Sequence, residues 1–238
     1  DLNSFNTLSN LVGKGTTLVV QSTRMDFDTN TYVSELWKRS NGQWKSFKSG
    51  RNNFSNPKFG DKENHIFYIK TNRTVQDKSR SKKTLSTIHM QEGRSINTIF
   101  EIEGSISNYL LSNNGKFIYV ITSEWSKEFK SVEDKNSEPM YYENLPFRFD
   151  TRGIIYNKRA HVYKVNIQTK KSTKIVDGDS KNIISISSFV EGENSIVLSF
   201  DQYNLKGTML EEKIGAIEGV KIKEIYSNGS MGNLFYYE

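Results

Sequence analysis

Arg148, Asp150 and Arg152 alternate cation, carboxylate and cation immediately ahead of Gly153, with Tyr156 three residues further on. Guanidinium groups so placed can clamp a carboxylate in a two-point grip, whether it belongs to the protein or to a bound peptide. The first expectation is structural: Arg148 pairs with Asp150 or Glu143 and fixes the point where a long loop re-enters a sheet. The second is a charged loop that contacts a ligand or an adjoining part of the protein. His161 and Tyr163 follow in an alternating run and are read as strand residues, with His161 hydrogen-bonded between neighbouring sheets rather than catalytic. His65 and His89 also fall at strand positions, with no carboxylate or second histidine at ligand spacing, so neither a metal nor a cofactor is expected. The acids Glu133, Asp134, Glu138 and Glu143 lack the alternating oxygens and glycine hinge of a calcium loop. No residue is assigned a catalytic role.

The bulk chemistry narrows the field further. The 238 residues include no cysteine, which removes disulfide frameworks, thiolate zinc sites and cysteine nucleophiles together. Aromatic content of 12% is too high for a disordered chain, although only 35% of residues are hydrophobic. Net charge is +6 and its basic residues are scattered, the one dense run being KSRSKK at 78–83. No aromatic residue is interleaved with that run, so it reads as a solvated loop and not as a nucleic-acid contact. No apolar stretch approaches the ~18 residues of a membrane span, and the N-terminus is not a signal peptide. The expected compartment is the cytoplasm.

What positions these residues is a repeat. A turn rich in Gly, Asn and Asp is followed by four or five apolar residues in GKGTTLVV (13–20), GDKENHIFYI (60–69), NNGKFIYVI (113–121), EGENSIVLSF (191–200) and GSMGNLFYY (229–237). Short apolar runs bounded by turn residues read as buried strands. After each of the first four comes an alternating strand, a tight turn and a second strand. Asn41-Gly42 is the strongest of these turns, because a type I′ hairpin needs positive φ at both central residues. Glu92-Gly93, Gln168–Lys170 and Glu218-Gly219 take the equivalent places.

A buried strand with an outer hairpin is the content of a four-stranded propeller blade. The fold expected is therefore an all-β propeller of four-stranded antiparallel blades, in which four to five blades form part of a larger or incomplete ring. As a single domain over 1–238, its blade-like units lie near 13–50, 60–102, 113–178 and 191–227, with 229–238 starting a further blade. One way to close such a ring is for residues 1–12 to complete the last blade. An excess of about one loop falls between Trp125 and Arg159, where residues 126–135 suit a short helix or a solvated insertion. Met140, Tyr141 and Tyr142 are expected to pack under that loop. Pro57, Pro139 and Pro146 are placed outside strands, since proline cannot donate to a ladder.

The Gly-His and Trp-Asp markers of WD40 blades are missing. The segment FRFDTRGIIYNKRAHVYKVNIQTKKSTKIVDGD (147–179) instead resembles the N-terminal propeller of the prolyl oligopeptidase family of serine peptidases (S9), closest to the acylaminoacyl peptidases. Arg148, Asp150, Gly153 and Tyr156 match an Arg-x-Asp-x-x-Gly-x-x-Tyr segment of that branch. His161, Tyr163 and Val165 match the strand after it, and Asp177-Gly178 the end of the next one. The first unit, VVQSTRMDFDTNTYVSELWKRSNG (19–42), resembles the same layout. The resemblance implies structural roles for Gly153, Tyr156, His161 and Tyr163, and contacts to substrate or to a neighbouring domain for Arg148, Asp150 and Arg152.

Such relatives carry an α/β-hydrolase domain with a Ser-Asp-His triad beside the propeller. Its serine needs a G-x-S-x-G elbow, and this chain has none. The expected function is thus that of a non-catalytic propeller in an acylaminoacyl-peptidase-like protein, gating and contacting short peptides. The partners implied are a hydrolase domain in the same polypeptide and short peptides, without nucleic acid or membrane; an oligomer is compatible with this. The alternative is a stand-alone TolB-like or WD40-like propeller acting as a protein-interaction platform. A propeller lyase or glycosidase is disfavoured, because its acids would stand on inner strands that are here almost wholly apolar.

Overall fold

The computed structural model describes residues 6–28, 31–72, 84–126, 148–149, 153–154, 158–192, 195–204, 209–219 and 221–227. It divides into two compact units, 1–106 and 107–238.

The first unit holds two sheets. β1 (Asn6–Lys14), β2 (Thr17–Asp26), β3 (Thr31–Ser40) and β4 (Gln43–Lys48) form one antiparallel meander. β5 (Asn52–Phe59), β6 (His65–Asn72), β7 (Leu85–Glu92) and β8 (Ser95–Glu103) form the next. The third sheet is built from β9 (Ser105–Leu111), β10 (Phe117–Trp125), β13 (Lys158–Asn166) and β14 (Ser172–Val176). Between β10 and β13 lie β11 (Arg148–Phe149) and β12 (Gly153–Ile154), which pair only with each other. A four-residue helix, α1 (Gly178–Lys181), leads into the fourth sheet of β15 (Ile183–Glu191), β16 (Ile196–Tyr203), β17 (Leu210–Glu218) and β18 (Lys221–Ser227). Four antiparallel four-stranded meanders are four propeller blades. Among the described residues no helix is long and apolar enough to cross a membrane.

The apolar runs occupy the second strand of each sheet. Val19 in β2, Ile66 to Ile69 in β6, Ile118 to Ile121 in β10, and Leu198 and Phe200 in β16 are buried. Continuous apolar sequence works there because both faces of those strands are covered. In the first unit Val19, Leu36, Phe54, Ile66 and Tyr68 share one core cluster. In the second, Ile121, Val162, Val176, Ile183, Leu198 and Phe200 share another. The fifth run, 229–237, lies outside the described residues, as do 127–135 and Met140, Tyr141 and Tyr142.

Each sheet begins one strand earlier than the unit drawn from sequence. β1 pairs with β2, so residues 6–14 complete the first blade and not the last. The first strands escape a periodicity search because three of them are bulged. The β1 register breaks between Ser9 and Val12, that of β5 between Ser55 and Lys58, and that of β15 at two points. Asn10 and Asn56 sit in these bulges at φ 51°, a conformation asparagine tolerates. The Gln21 side-chain oxygen accepts from the Asn10 amide and from the Asn56 backbone N–H, tying both bulges together. Pro57, expected outside strands, lies inside β5 at its bulge, where the ladder asks for no donor.

The Asn41-Gly42 hairpin has φ of 52° and 77° with Ser40 opposite Gln43, the two-residue turn its sequence demands. In the second and fourth sheets Glu92 pairs with Ser95 and Glu218 with Lys221. Each turn therefore lies one residue later than expected, starting at Gly93 and Gly219, both at positive φ.

Candidate functional site

β10 and β13 pair without interruption from Phe117–Asn166 to Trp125–Lys158. Strand alternation then places Val120, Thr122 and Glu124 on the same face as Tyr163, His161 and Arg159, each directly across from its partner. Polar atoms converge there. Glu124, only 4% exposed, accepts from the Thr122 hydroxyl at 2.8 Å and from the Tyr163 hydroxyl at 2.9 Å. Burial, reinforced by the Glu124 carboxylate, holds the Tyr163 phenol well above its ordinary range. That phenol stays a donor.

His161 is 1% exposed. Its Nδ1 accepts the Gly178 N–H at 3.1 Å and stands 3.2 Å from Asp177 Oδ1. A nitrogen that accepts a backbone N–H has its lone pair committed, so the neutral ring carries its proton on Nε2. Burial lowers the His161 pKa against the opposing pull of Glu124, with Lys174 adding to the depression. Lys174 closes the cluster, 3.7 Å from Asp177 Oδ1 and 5.4 Å over the Tyr163 ring.

Gly178 is required by this arrangement. A Cβ on it would stand 2.1 Å from the Ala160 carbonyl oxygen, so the chain entering α1 can lie against β13 only as glycine. The paired resemblance of His161 and Asp177-Gly178 is therefore one physical contact. It lies between β13 and the segment following β14, where the expectation had His161 bonded between neighbouring sheets.

His161, Asp177 and Asp179 offer three ligand atoms within 4.8 Å of one another. The Nδ1 that faces Asp177 is taken by Gly178, and the Lys174 ammonium supplies positive charge to that carboxylate. The protein's own groups thus occupy the side of His161 that faces Asp177. The His161 ring is closed to solvent, which suits a fastening and not an acid–base catalyst.

Of the charged motif, Arg148 and Gly153 enter a two-rung ladder, Arg148 opposite Ile154 and Phe149 opposite Gly153. Asp150, Arg152 and Tyr156, together with the side chain of Arg148, lie outside the described residues. One sequence expectation needs correction. His65 is flanked by carboxylates, Asp61 Oδ1 at 2.8 Å from Nδ1 and Glu92 Oε1 at 2.9 Å from Nε2. Asp61 is four residues away across a turn and Glu92 is its rung partner on β7, a pairing that spacing along the chain does not display.

A concavity of about 450 Å³ opens in the first unit between the end of β4 and the face of the second sheet. Its floor is Tyr68, 1% exposed, with His89 stacked on it at 5.6 Å and Phe47 edge-on at 6.1 Å. Thr87 Oγ1 lies 2.9 Å from His89 Nε2 and Thr98 Oγ1 3.3 Å from its Nδ1. Burial first, then Lys70 and Lys48, push the His89 pKa down to about 4. Lys48 extends over both aromatic rings, 5.2 Å from Phe47 and 5.3 Å from Tyr68.

No protein-family model and no curated protein sequence matches the chain. Solved structures do. An acylaminoacyl peptidase from Pyrococcus horikoshii superposes with a TM-score of 0.67 at 12% identity, over 94% of this chain and 33% of that one. The β-propeller domain of the Trilobed protease from Pyrococcus furiosus, described as having an open velcro topology, gives 0.56 at 11% identity, over 94% and 58%. The chain thus spans one third of the length of the acylaminoacyl peptidase it matches. At such identities the likeness concerns the fold, and with the four meanders it fixes it: this is a β-propeller domain, similar in three dimensions to the propellers of these peptidases.

Proposed function

We propose that the chain is the non-catalytic propeller of an acylaminoacyl-peptidase-like serine peptidase, gating and contacting short peptide substrates. The observation that carries this reading is coverage. Nearly all of this chain, 94%, superposes on 33% of the Pyrococcus horikoshii enzyme. The chain itself has no G-x-S-x-G elbow. On this reading a hydrolase domain in the same polypeptide supplies the Ser-Asp-His triad and is the propeller's partner. The gate is steric: a propeller beside the serine admits short, extended peptides and excludes folded proteins. Arg148, Asp150 and Arg152 then serve as the charged contact to peptide or hydrolase. The absence of cysteine agrees with a cytoplasmic setting.

The test begins with the reading frame beyond Glu238. It should continue into a G-x-S-x-G elbow followed by the Asp and His of a triad. The full protein should then release the terminal residue from short acyl-peptides and spare the same sequence within a folded protein. A frame that stops without an elbow, or a full protein that cleaves the folded substrate equally well, overturns the reading.

A further inference from the structure

We infer that the cleft over Tyr68 binds an organic carboxylate with an aromatic or branched apolar body, its charge answered by the Lys48 and Lys70 ammonium groups. The inference does not depend on the peptidase reading, because the cleft lies wholly within the first unit and its chemistry is its own.

Three observations carry it. The first is size and lining: about 450 Å³ falls in the range of small-molecule sites, and Phe47, Phe54, Tyr68 and Ile96 give the cavity apolar walls. Ile96 remains 49% exposed on β8, an apolar side chain left facing the opening. The second is charge. None of the ten lining residues is acidic, and two are lysines. Among the described residues neither lysine is in an ion pair, whereas Lys174 and Lys213 are. Lys38 adds a third cation 5.9 Å from the Phe47 ring. Holding Lys48 over two aromatic faces partly desolvates it, and burial lowers its pKa. An anion entering the cleft relieves that cost.

The third observation is what the floor can and cannot donate. His89, pushed down to about 4, is neutral at physiological pH and takes no part in the charge balance. Tyr68, its phenol pushed up to about 12 by burial, stays protonated. The cleft therefore presents two point charges beside an aromatic surface. Among the described residues it has neither an arginine fork nor a helix N-terminus to grip a phosphate on several sides. A carboxylate attached to a ring or branched chain satisfies both halves, the apolar body lying against Phe47 and Ile96.

Two sources share this chemistry: a free small acid, and the C-terminal carboxylate of a peptide ending in an apolar residue. Calorimetric titration of the intact chain at low ionic strength distinguishes them. The probes are 3-phenylpropionate and its amide, N-acetyl-Gly-Phe and its amide, and inorganic phosphate. Each acid should bind at least about tenfold more tightly than its amide, a difference of ~1.4 kcal/mol. Affinities should fall in roughly the millimolar to sub-millimolar range expected of ligands this small.

Lys48→Met with Lys70→Met should abolish the acid-over-amide preference. Ile96→Ser should weaken acid and amide alike. All three substitutions are at partly or fully exposed positions, and Lys48→Gln offers a polar alternative if the methionines disturb folding. Tighter binding of 3-phenylpropionate assigns a free acid, and tighter binding of the peptide acid assigns a chain end; either upholds the site. Equal binding of acid and amide overturns the inference. So does phosphate binding as tight as the acids, a preference that survives loss of both lysines, or no heat of binding with any probe.

Discussion

Gly178→Ala tests whether the segment that best carries the sequence resemblance does so for a mechanical reason. The new Cβ would stand 2.1 Å from the Ala160 oxygen, 3.0 Å from its carbonyl carbon and 3.2 Å from its nitrogen. Backbone, not a flexible side chain, is in the way, so β13 and the start of α1 must part. Overpacking of that kind costs ~1–3 kcal/mol. Parting also breaks the Gly178 N–H to His161 Nδ1 bond and leaves a buried acceptor alone, a further ~1–3 kcal/mol. The smaller unfolded-state entropy of alanine returns about 0.4–1 kcal/mol. The net expectation is a loss of ~2–4 kcal/mol, equivalent to ~5–15 °C in Tm for a chain of this size. Urea unfolding followed by circular dichroism measures it. Gly192→Ala is the control, because the nearest atom to its Cβ is the Ser195 oxygen at an ordinary 3.5 Å. A second arm repeats Gly178→Ala in a His161→Leu background, where the hydrogen bond is already gone. There the loss should shrink by ~1 kcal/mol or more. If Gly178→Ala matches Gly192→Ala, or its cost is unchanged without His161, the contact does not hold the blade together and the reasoning fails.

Acidification should destabilise the chain below about pH 6.5, where histidines of the unfolded chain take up protons that the folded His89 and His161 refuse. A fall from 6.5 to about 4 at His89 is ~3 kcal/mol at full strength, reduced by solvent screening to ~1–2 kcal/mol, and His89→Gln should flatten urea midpoints between pH 7.5 and 4.5. Leu198→Ala, at a wholly buried position of the second-unit core, should cost ~2–5 kcal/mol in the same assay, against ~0.5 kcal/mol or less for Leu8→Ala on the exposed first strand. Gly42→Ala meets no atom within 4 Å but must adopt φ near 77°, so about 1–2 kcal/mol of backbone strain should appear without any packing change, read by the same unfolding curve.

The sheets were legible where a single strand carries its own signal. Ile66 to Ile69 and Ile118 to Ile121 are apolar at every position because both faces of a second strand are covered, and no partner needs to be known to see it. Asn41-Gly42 is legible for a different reason, since a two-residue turn at positive φ admits few residue pairs. First strands were invisible on both counts. β1 reads NTLSNLVGK with its first six residues exposed, and its bulge at Asn10 interrupts whatever alternation remains. Those same bulges explain Pro57. A rule excluding proline from strands holds for ladder positions, and a bulge is a strand position without a ladder partner.

The two sites differ in legibility for the same physical reason. His161 and Gly178 are close along the chain, since β13 and β14 form a hairpin that returns the backbone to its starting point. A contact closed by one hairpin leaves a fixed spacing in sequence, and so a motif can carry it. Lys174 on β14 and Asp179 in α1 lie on the same returning stretch of chain, although nothing in the sequence singles either one out. The cleft over Tyr68 is assembled from β4 to β8, five strands across two sheets, with Lys48 and Lys70 contributed by different blades. Neither lysine stands out among the scattered basic residues of a chain with net charge +6. Their significance comes from what the fold withholds: among the described residues no carboxylate is brought to either one, while Asp61 and Glu92 both face His65 on β6. A propeller stacks near-equivalent blades, so its inter-blade clefts are set by side chains at matching heights on different repeats. Spacing along one repeat cannot show such a match, which is why the His161 and Asp177-Gly178 pair left a motif in the sequence and the cleft required the fold.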